Sequence, residues 1–243
     1  MTAIVLAGGR GRRMKADKAG LDIGGRTLLE HVLAQIGPLF DEVLVSVSPG
    51  QSPSLPPRGA GRPRRPRSED HAGTPETPLR VIEDDTPGQG PIGGVLAGLR
   101  AARNDACAVI ACDIPDIDLP LLRALARAAA EAGIAVPMGP GGLHEPLFAV
   151  YRRSVIPAIE ALLARGERSL LPLYGRIPTA VVRFADPGRV PNLNTRADYE
   201  AYLGSSVGPK RILSSSRKGS SGKRGTKGPG SAGRGKAERR SRA

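Results

Sequence analysis

Runs that are apolar on both faces, each closed by glycine or a carboxylate and each followed by a helical pattern, leave this chain few architectures. Residues 3–6 break into Ala7-Gly8-Gly9, residues 79–82 end at Glu83-Asp84-Asp85, and residues 106–112 end at Asp113. A strand without a polar face needs cover on both sides, and helices supply it when the strands lie parallel and the chain crosses back over the sheet. Between the runs, Leu28, Leu29, Val32, Leu33 and Ile36 recur at helical spacing until Gly37-Pro38. A glycine-rich turn at 87–94 leads into a helix with Val95, Leu96 and Leu99 inward. Asp118 opens another, with Pro120 in its first turn and Leu121, Leu122 and Leu125 inward. Further strands are expected at 43–47, 134–137, 147–151 and 180–184. Helices are expected at 155–164 and at 197–203, the last capped by Thr195 with Asp198 three residues on. The expected fold class is α/β: a three-layer α/β/α sandwich on a mainly parallel sheet.

A chain of 243 residues holds one such domain with a sizeable core, expected at 1–204, but not two. Its net charge of +13 would suggest nucleic acid if it covered a folded surface. Instead twelve Lys and Arg against the single acid Glu238 fall within 205–243, which carries +11. That segment is rich in Gly and Ser and has no aromatic residue, so it reads as a disordered basic tail. Residues 51–78, dense in Pro and Arg, read as a flexible insertion between two strands. No apolar run is long enough to span a bilayer and no signal-peptide pattern opens the chain, so a cytoplasmic location is expected. Cys107 and Cys112 lie five apart on one strand and so face opposite sides, which argues against a bridge. His31, His71 and His144 show no metal-ligand spacing.

In a parallel sheet the ligand sits at the carboxyl ends of the strands, which selects the Gly8-Gly9 turn, Asp84 with Asp85, and Asp113. Taken singly, glycines there are ordinary turn residues and strand-end carboxylates cap helices. Taken together, carboxylates facing a glycine turn with Arg10, Arg12, Arg13, Lys15 and Lys18 beyond it match what a magnesium–triphosphate needs. The turn is not a P-loop, because Ala follows both Lys15 and Lys18. Nor is it a dinucleotide fingerprint, because Met14 stands where a third glycine is required.

These residues carry a resemblance. Leu6-Ala7-Gly8-Gly9-Arg10-Gly11-Arg12-Arg13-Met14 with Asp17-Lys18 resembles the L-A-G-G-x-x-x-R-M-G-x-D-K signature of the molybdenum cofactor guanylyltransferases, the MobA-type nucleotidyltransferases. Val81-Ile82-Glu83-Asp84, Gly90-Pro91-Ile92-Gly93-Gly94, Cys112-Asp113-Ile114-Pro115, Gly166-Glu167-Arg168-Ser169 and Asn192-Leu193-Asn194-Thr195 follow in the family's order, over about 3–203. Two features depart from it: Lys15 replaces the signature glycine, and the 51–78 insertion lengthens a short region. The resemblance implies a Rossmann-like nucleotidyltransferase fold and transfer of GMP from GTP to the terminal phosphate of molybdopterin, or of Mo-molybdopterin, with release of pyrophosphate and dependence on Mg²⁺. It implies that Leu6, Ala7, Gly8, Lys18, Ser46, Asp84 and Asp113 bind nucleotide, Ser46 standing where the family often has asparagine. It implies that Arg13, Lys18 and Asp113 act in catalysis, with Asp113 also holding the metal. The acceptor is expected toward the C-terminal half, near 144–147, Arg168, Asn192 and Asn194, and molybdoenzyme-maturation proteins are implied as partners.

Three other readings stay open at this level, one of them a family member that binds nucleotide without transferring it, hinted at by Lys15. A cytidylyltransferase acting on molybdopterin or another small phosphate would differ by a few loop contacts. A basic nucleic-acid-binding protein would use the tail, although the core, with three Phe, four Tyr and no Trp, has no aromatic platform.

Overall fold

The computed structural model describes residues 1–8, 18–55, 77–85 and 88–205. Seven strands form one sheet: β1 (Thr2–Leu6), β2 (Glu42–Val47), β3 (Leu79–Glu83), β4 (Ala106–Ala111), β5 (Ile134–Met138), β6 (Phe148–Arg152) and β7 (Thr179–Arg183). Their order is β3-β2-β1-β4-β6-β5-β7. Every pairing is parallel except the two made by β6, which runs against β4 and β5. The mainly parallel sheet expected from the two-faced apolar runs is therefore present, with one reversed strand inside it.

Alternation along each strand builds two cores. Ala3 and Val5 of β1 with Val43, Val45 and Val47 of β2 face the helices α1 (Leu28–Ile36) and α3 (Leu119–Ala128). Ile4, Leu6 and Leu44 face α2 (Pro91–Ala101) and α4 (Ile156–Leu163) on the other side. Cys107 belongs to the second core and Cys112 to the first; both are free and buried, and burial pushes the Cys107 thiol up to about 12. A smaller cluster of Ile23, Leu28, Leu193 and Tyr202 seats the last helix, α5 (Arg196–Gly204), against the loop before α1.

The helix boundaries follow local chemistry. Thr27 and Glu30 make a reciprocal capping box at the start of α1, and Thr195 and Asp198 make another at α5. Asp118 caps α3 by accepting from Leu121 N at 2.8 Å, and its carboxylate also accepts from Nε and Nη2 of the Arg189 guanidinium. Arg189 first, against the opposing pull of burial, holds that carboxyl below its ordinary value. Gly37-Pro38 ends α1 by tightening into a 3-10 turn, Gly37–Leu39, rather than by stopping the helical path outright. No helix among the described residues is long and apolar enough to cross a membrane.

Candidate active site

Because β1, β2, β3 and β4 are parallel neighbours, their carboxyl ends share one edge. Along it stand Asp84 after β3, Ser48 after β2, Gly8 after β1 and Asp113 after β4. Adjacent strands lie about 4.8 Å apart, so Asp84 and Asp113 are three spacings apart, room for a base at one end and phosphates at the other. The reversed β6 brings the residues before it, 144–147, to this same edge.

The first turn is bound tightly to its neighbours. Ala7 N and Gly8 N both donate to Ser46 O, at 2.9 and 3.1 Å, and Cys112 N donates to Leu6 O at 3.1 Å. Of the residues expected to bind nucleotide here, Leu6 and Ala7 are buried and Gly8 is open, and the N–H groups of Ala7 and Gly8 are taken by Ser46 O. Ser46 is itself buried within β2, inside the strand expected at 43–47, with its hydroxyl under α2. The serine at the strand end is Ser48. A methyl on Gly8 would lie 2.8 Å from Ser48 N, a backbone atom that cannot step aside, so this turn requires glycine. Gln51 completes the wall with its amide 3.5 Å from Ala7 O.

Asp84 is placed by both its backbone and a glycine. Its N–H donates to Val47 O at 2.9 Å, and its carboxylate occupies the space that a Gly93 side chain would need. Gly93 lies in the first turn of α2, which opens with Gly90 at a φ of 72° and Pro91. The positive end of that helix dipole therefore lies beside a carboxylate, a favourable arrangement.

At the other end the Lys18 ammonium donates to Asp113 Oδ2 at 2.8 Å and to Asn194 Oδ1 at 3.1 Å. Lys18 and Asp113 are about four-fifths buried, at 19% and 21% side-chain exposure, so their pair is only partly screened by water. Leu193 N donates to Asp113 O at 2.8 Å, which fastens the Asn192-Leu193-Asn194 segment across the turn. Asn192 reaches toward Glu145 Oε2 at 3.5 Å. Burial first, and then the nearby Asp113 charge, raise the Glu145 carboxyl above its ordinary value against the pull of Asn192. Rules that look only past strand ends miss Glu145, because it precedes an antiparallel strand; strand direction was the absent signal.

Thus Lys18, Asp113, Asn194 and Asn192 converge, while Gly8 and Asp84 line the same edge further along. Arg168 is exposed, and its guanidinium makes no hydrogen bond or ion pair among the described residues. Arg13 lies outside the described residues. Among those residues no three His, Cys, Asp or Glu side chains gather into a cage. Asp113, with the Glu145 carboxylate close enough to feel its charge, offers hard oxygen donors of the kind that suit Mg²⁺ arriving with phosphates and water.

Comparison with known proteins gives the family and the fold. Residues 3–177 match the MobA-like NTP transferase domain. The chain is 34% identical over 225 residues to a probable molybdenum cofactor guanylyltransferase of Chloroflexus aggregans, covering 84% of this chain and 95% of the relative. It is 38% identical over 168 residues to a molybdenum cofactor guanylyltransferase of Pseudomonas putida, covering 69% and 78%. Among solved structures, molybdopterin-guanine dinucleotide biosynthesis protein A of Archaeoglobus fulgidus superimposes with a TM-score of 0.60 at 24% identity, over 83% of this chain and 96% of that one. The 2-C-methyl-D-erythritol 4-phosphate cytidylyltransferase of Thermus thermophilus does so at 0.56 and 22% identity, over 82% and 95%. The fold is thus shared by enzymes that act on different bases.

Proposed function

The chain belongs to the MobA-like NTP transferase family, and from that premise we propose that it transfers the guanylyl group of GTP to the terminal phosphate of molybdopterin or Mo-molybdopterin. An acceptor phosphate oxygen attacks the α-phosphorus in line, a new P–O bond forms, and the bond to the β-phosphate oxygen breaks as pyrophosphate leaves. No protein nucleophile is needed, because positioning and charge stabilisation can carry phosphoryl chemistry of this kind.

The observation that carries this reading is the Lys18 ammonium held between Asp113 and Asn194 at the sheet edge that also bears Gly8 and Asp84. Lys18 would donate to the phosphate oxygens as negative charge builds on them, with Asp113 and Asn194 fixing its direction. Asp84, beside the start of α2, would hold the guanosine end, and the exposed Gly8 would let the nucleotide lie close to the backbone. Asp113 would hold Mg²⁺, which when bound neutralises phosphate charge. Asn192 and Glu145 would face the acceptor. A reaction that consumes GTP belongs in the cytoplasm, where that nucleotide is kept.

The test is pyrophosphate release with Mg²⁺ and each of GTP, CTP, ATP and UTP, with and without molybdopterin, beside an Asp113→Asn control. Release that requires both GTP and the acceptor and is lost in the control is expected. Preference for CTP would overturn the choice of base. Silence with all four nucleotides would overturn the reaction.

A further inference from the structure

Asp113 sits in a six-residue stretch, between the end of β4 at Ala111 and the cap of α3 at Asp118, that belongs to no strand or helix. Such a stretch holds a side chain still only if its own polar groups are tied down. Its upper end is tied by Cys112 N to Leu6 O and by Leu193 N to Asp113 O. Beyond that, the stretch turns inward: Pro115 and Ile117 are both buried residues, and the carbonyl of the first and the N–H of the second make their bonds in partly buried positions.

Both are satisfied by one side chain. Gln35, in the last turn of α1, donates from Nε2 to Pro115 O at 2.6 Å and accepts at Oε1 from Ile117 N at 3.1 Å. The residue between those two is tied separately, because Asp116 Oδ1 accepts from Tyr202 of α5 at 2.9 Å. An amide is the only ordinary side chain with a donor and an acceptor fixed side by side at this reach, so neither Leu nor Glu can make both bonds. Gln35 bonds to the turn and to His31 O of its own helix, and to neither Lys18 nor the Asp113 carboxylate.

We propose that Gln35 is a positioning residue for guanylyl transfer: its amide locks the backbone of the Asp113 turn onto α1, so that the Asp113 carboxylate meets Lys18 in register. This inference rests on the proposed reaction for its kinetic consequence but not for its structural one. With the lock removed the 113–117 segment samples other positions, and the Lys18–Asp113 pair is assembled only part of the time. Nucleotide binding at Gly8 and Asp84, on strands the lock does not touch, is retained.

The experiment compares wild type with Gln35→Leu, Gln35→Glu and Tyr202→Phe in two ways. Hydrogen exchange of the peptide covering 113–118 reads the lock directly, whatever the substrate. Steady-state transfer reads kcat separately from KM for GTP. Gln35→Leu is expected to speed exchange at Ile117 and lower kcat about tenfold, with KM for GTP within about twofold. Gln35→Glu, which keeps the acceptor for Ile117 N but loses the donor for Pro115 O, should fall between, and Tyr202→Phe should speed exchange on the same peptide. Unchanged exchange in a folded Gln35→Leu, or faster exchange with unchanged kcat, would overturn the proposal. If Gln35→Leu does not fold, Gln35→Glu and Tyr202→Phe decide by the same criteria. An inert wild type would count against the proposed reaction, and the exchange measurement would still decide the lock.

Discussion

Two carboxylates on the site edge owe their different tasks to what lies beside them. Asp113 is paired with Lys18 at 2.8 Å, so removing either partner leaves the other a largely buried, unpaired charge; in the proposed reaction loss of Lys18 would also remove a donor, and loss of Asp113 the group that directs it. Lys18→Ala and Asp113→Ala should each lower kcat by about 10²–10³-fold while the protein stays folded, read by pyrophosphate release and circular dichroism. Asp84 lies instead beside the first turn of α2, and in the proposed reaction its carboxylate would accept from the guanine N1–H and 2-amino edge. Asp84→Asn should therefore lower kcat/KM for GTP by about tenfold or more, as expected for a charged hydrogen bond of about 1.5–3 kcal/mol. The loss should be smaller for ITP, which has no 2-amino group; equal losses with both nucleotides would remove Asp84 from base recognition.

Elements matter here mainly through the way their ends are made. The turn after β1 runs so close to the start of the β2–β3 connection that Gly8→Ala would press a methyl against Ser48 N. We expect that substitution to cost about 1–3 kcal/mol by overpacking and to lower Tm, with nucleotide binding weakened in parallel because the same turn lines the site. The far end of the chain behaves similarly. α5 starts at a Thr195–Asp198 capping box directly after Asn194, the residue that holds Lys18. Thr195→Ala should cost about 1 kcal/mol of stability and reduce kcat as well, since fraying the first turn of α5 loosens Asn194. A kcat equal to wild type in that variant would show that Asn194 keeps its place without the Thr195 cap, through its own N–H and the Leu193–Asp113 bond.

For the molecule as a whole, the edge opposite the site is where the sheet is clamped. Glu42, almost fully buried at the start of β2, accepts from Thr2 Oγ1 at 2.9 Å, Arg80 Nη2 at 2.7 Å and Arg103 N at 2.9 Å, joining β1, β2, β3 and the segment before β4. Burial pushes this carboxyl upward, but the donors from Arg103, Arg80 and Thr2 outweigh it and hold the pKa below the ordinary 4.5. A depressed folded pKa means the stabilisation is complete above about 4.5 and is lost as pH falls through the lower folded value. Wild type should thus exceed Glu42→Gln in Tm near neutral pH, and the gap should narrow as pH falls below 4.5; a gap independent of pH would contradict the assignment. Deleting residues 206–243 should leave Tm and kcat essentially unchanged while abolishing salt-sensitive retention on a polyanion column, because the segment carries most of the net charge but too few apolar residues to build a core.

The layered architecture and most elements were legible in the sequence, because apolar periodicity and capping residues are local. The two-faced runs at β1 and β4, the Asp118 cap and the Thr195–Asp198 pair each appear where residue patterns predict them. So do the strand-end positions of Gly8, Asp84 and Asp113, since the end of an apolar run is itself a local signal. Tertiary structure alone decided whatever depends on which way a strand runs or which segments meet. It reversed β6 and so brought Glu145 beside Asp113. It packed α2 over β2, burying the Ser46 hydroxyl. It committed the Ala7 and Gly8 N–H groups to Ser46 O, and it set Asn194 against Lys18 and Gln35 beneath the Asp113 turn. Those contacts join residues from 32 to 176 positions apart, and their energies come from burial and hydrogen bonding between segments whose periodicities carry no record of one another.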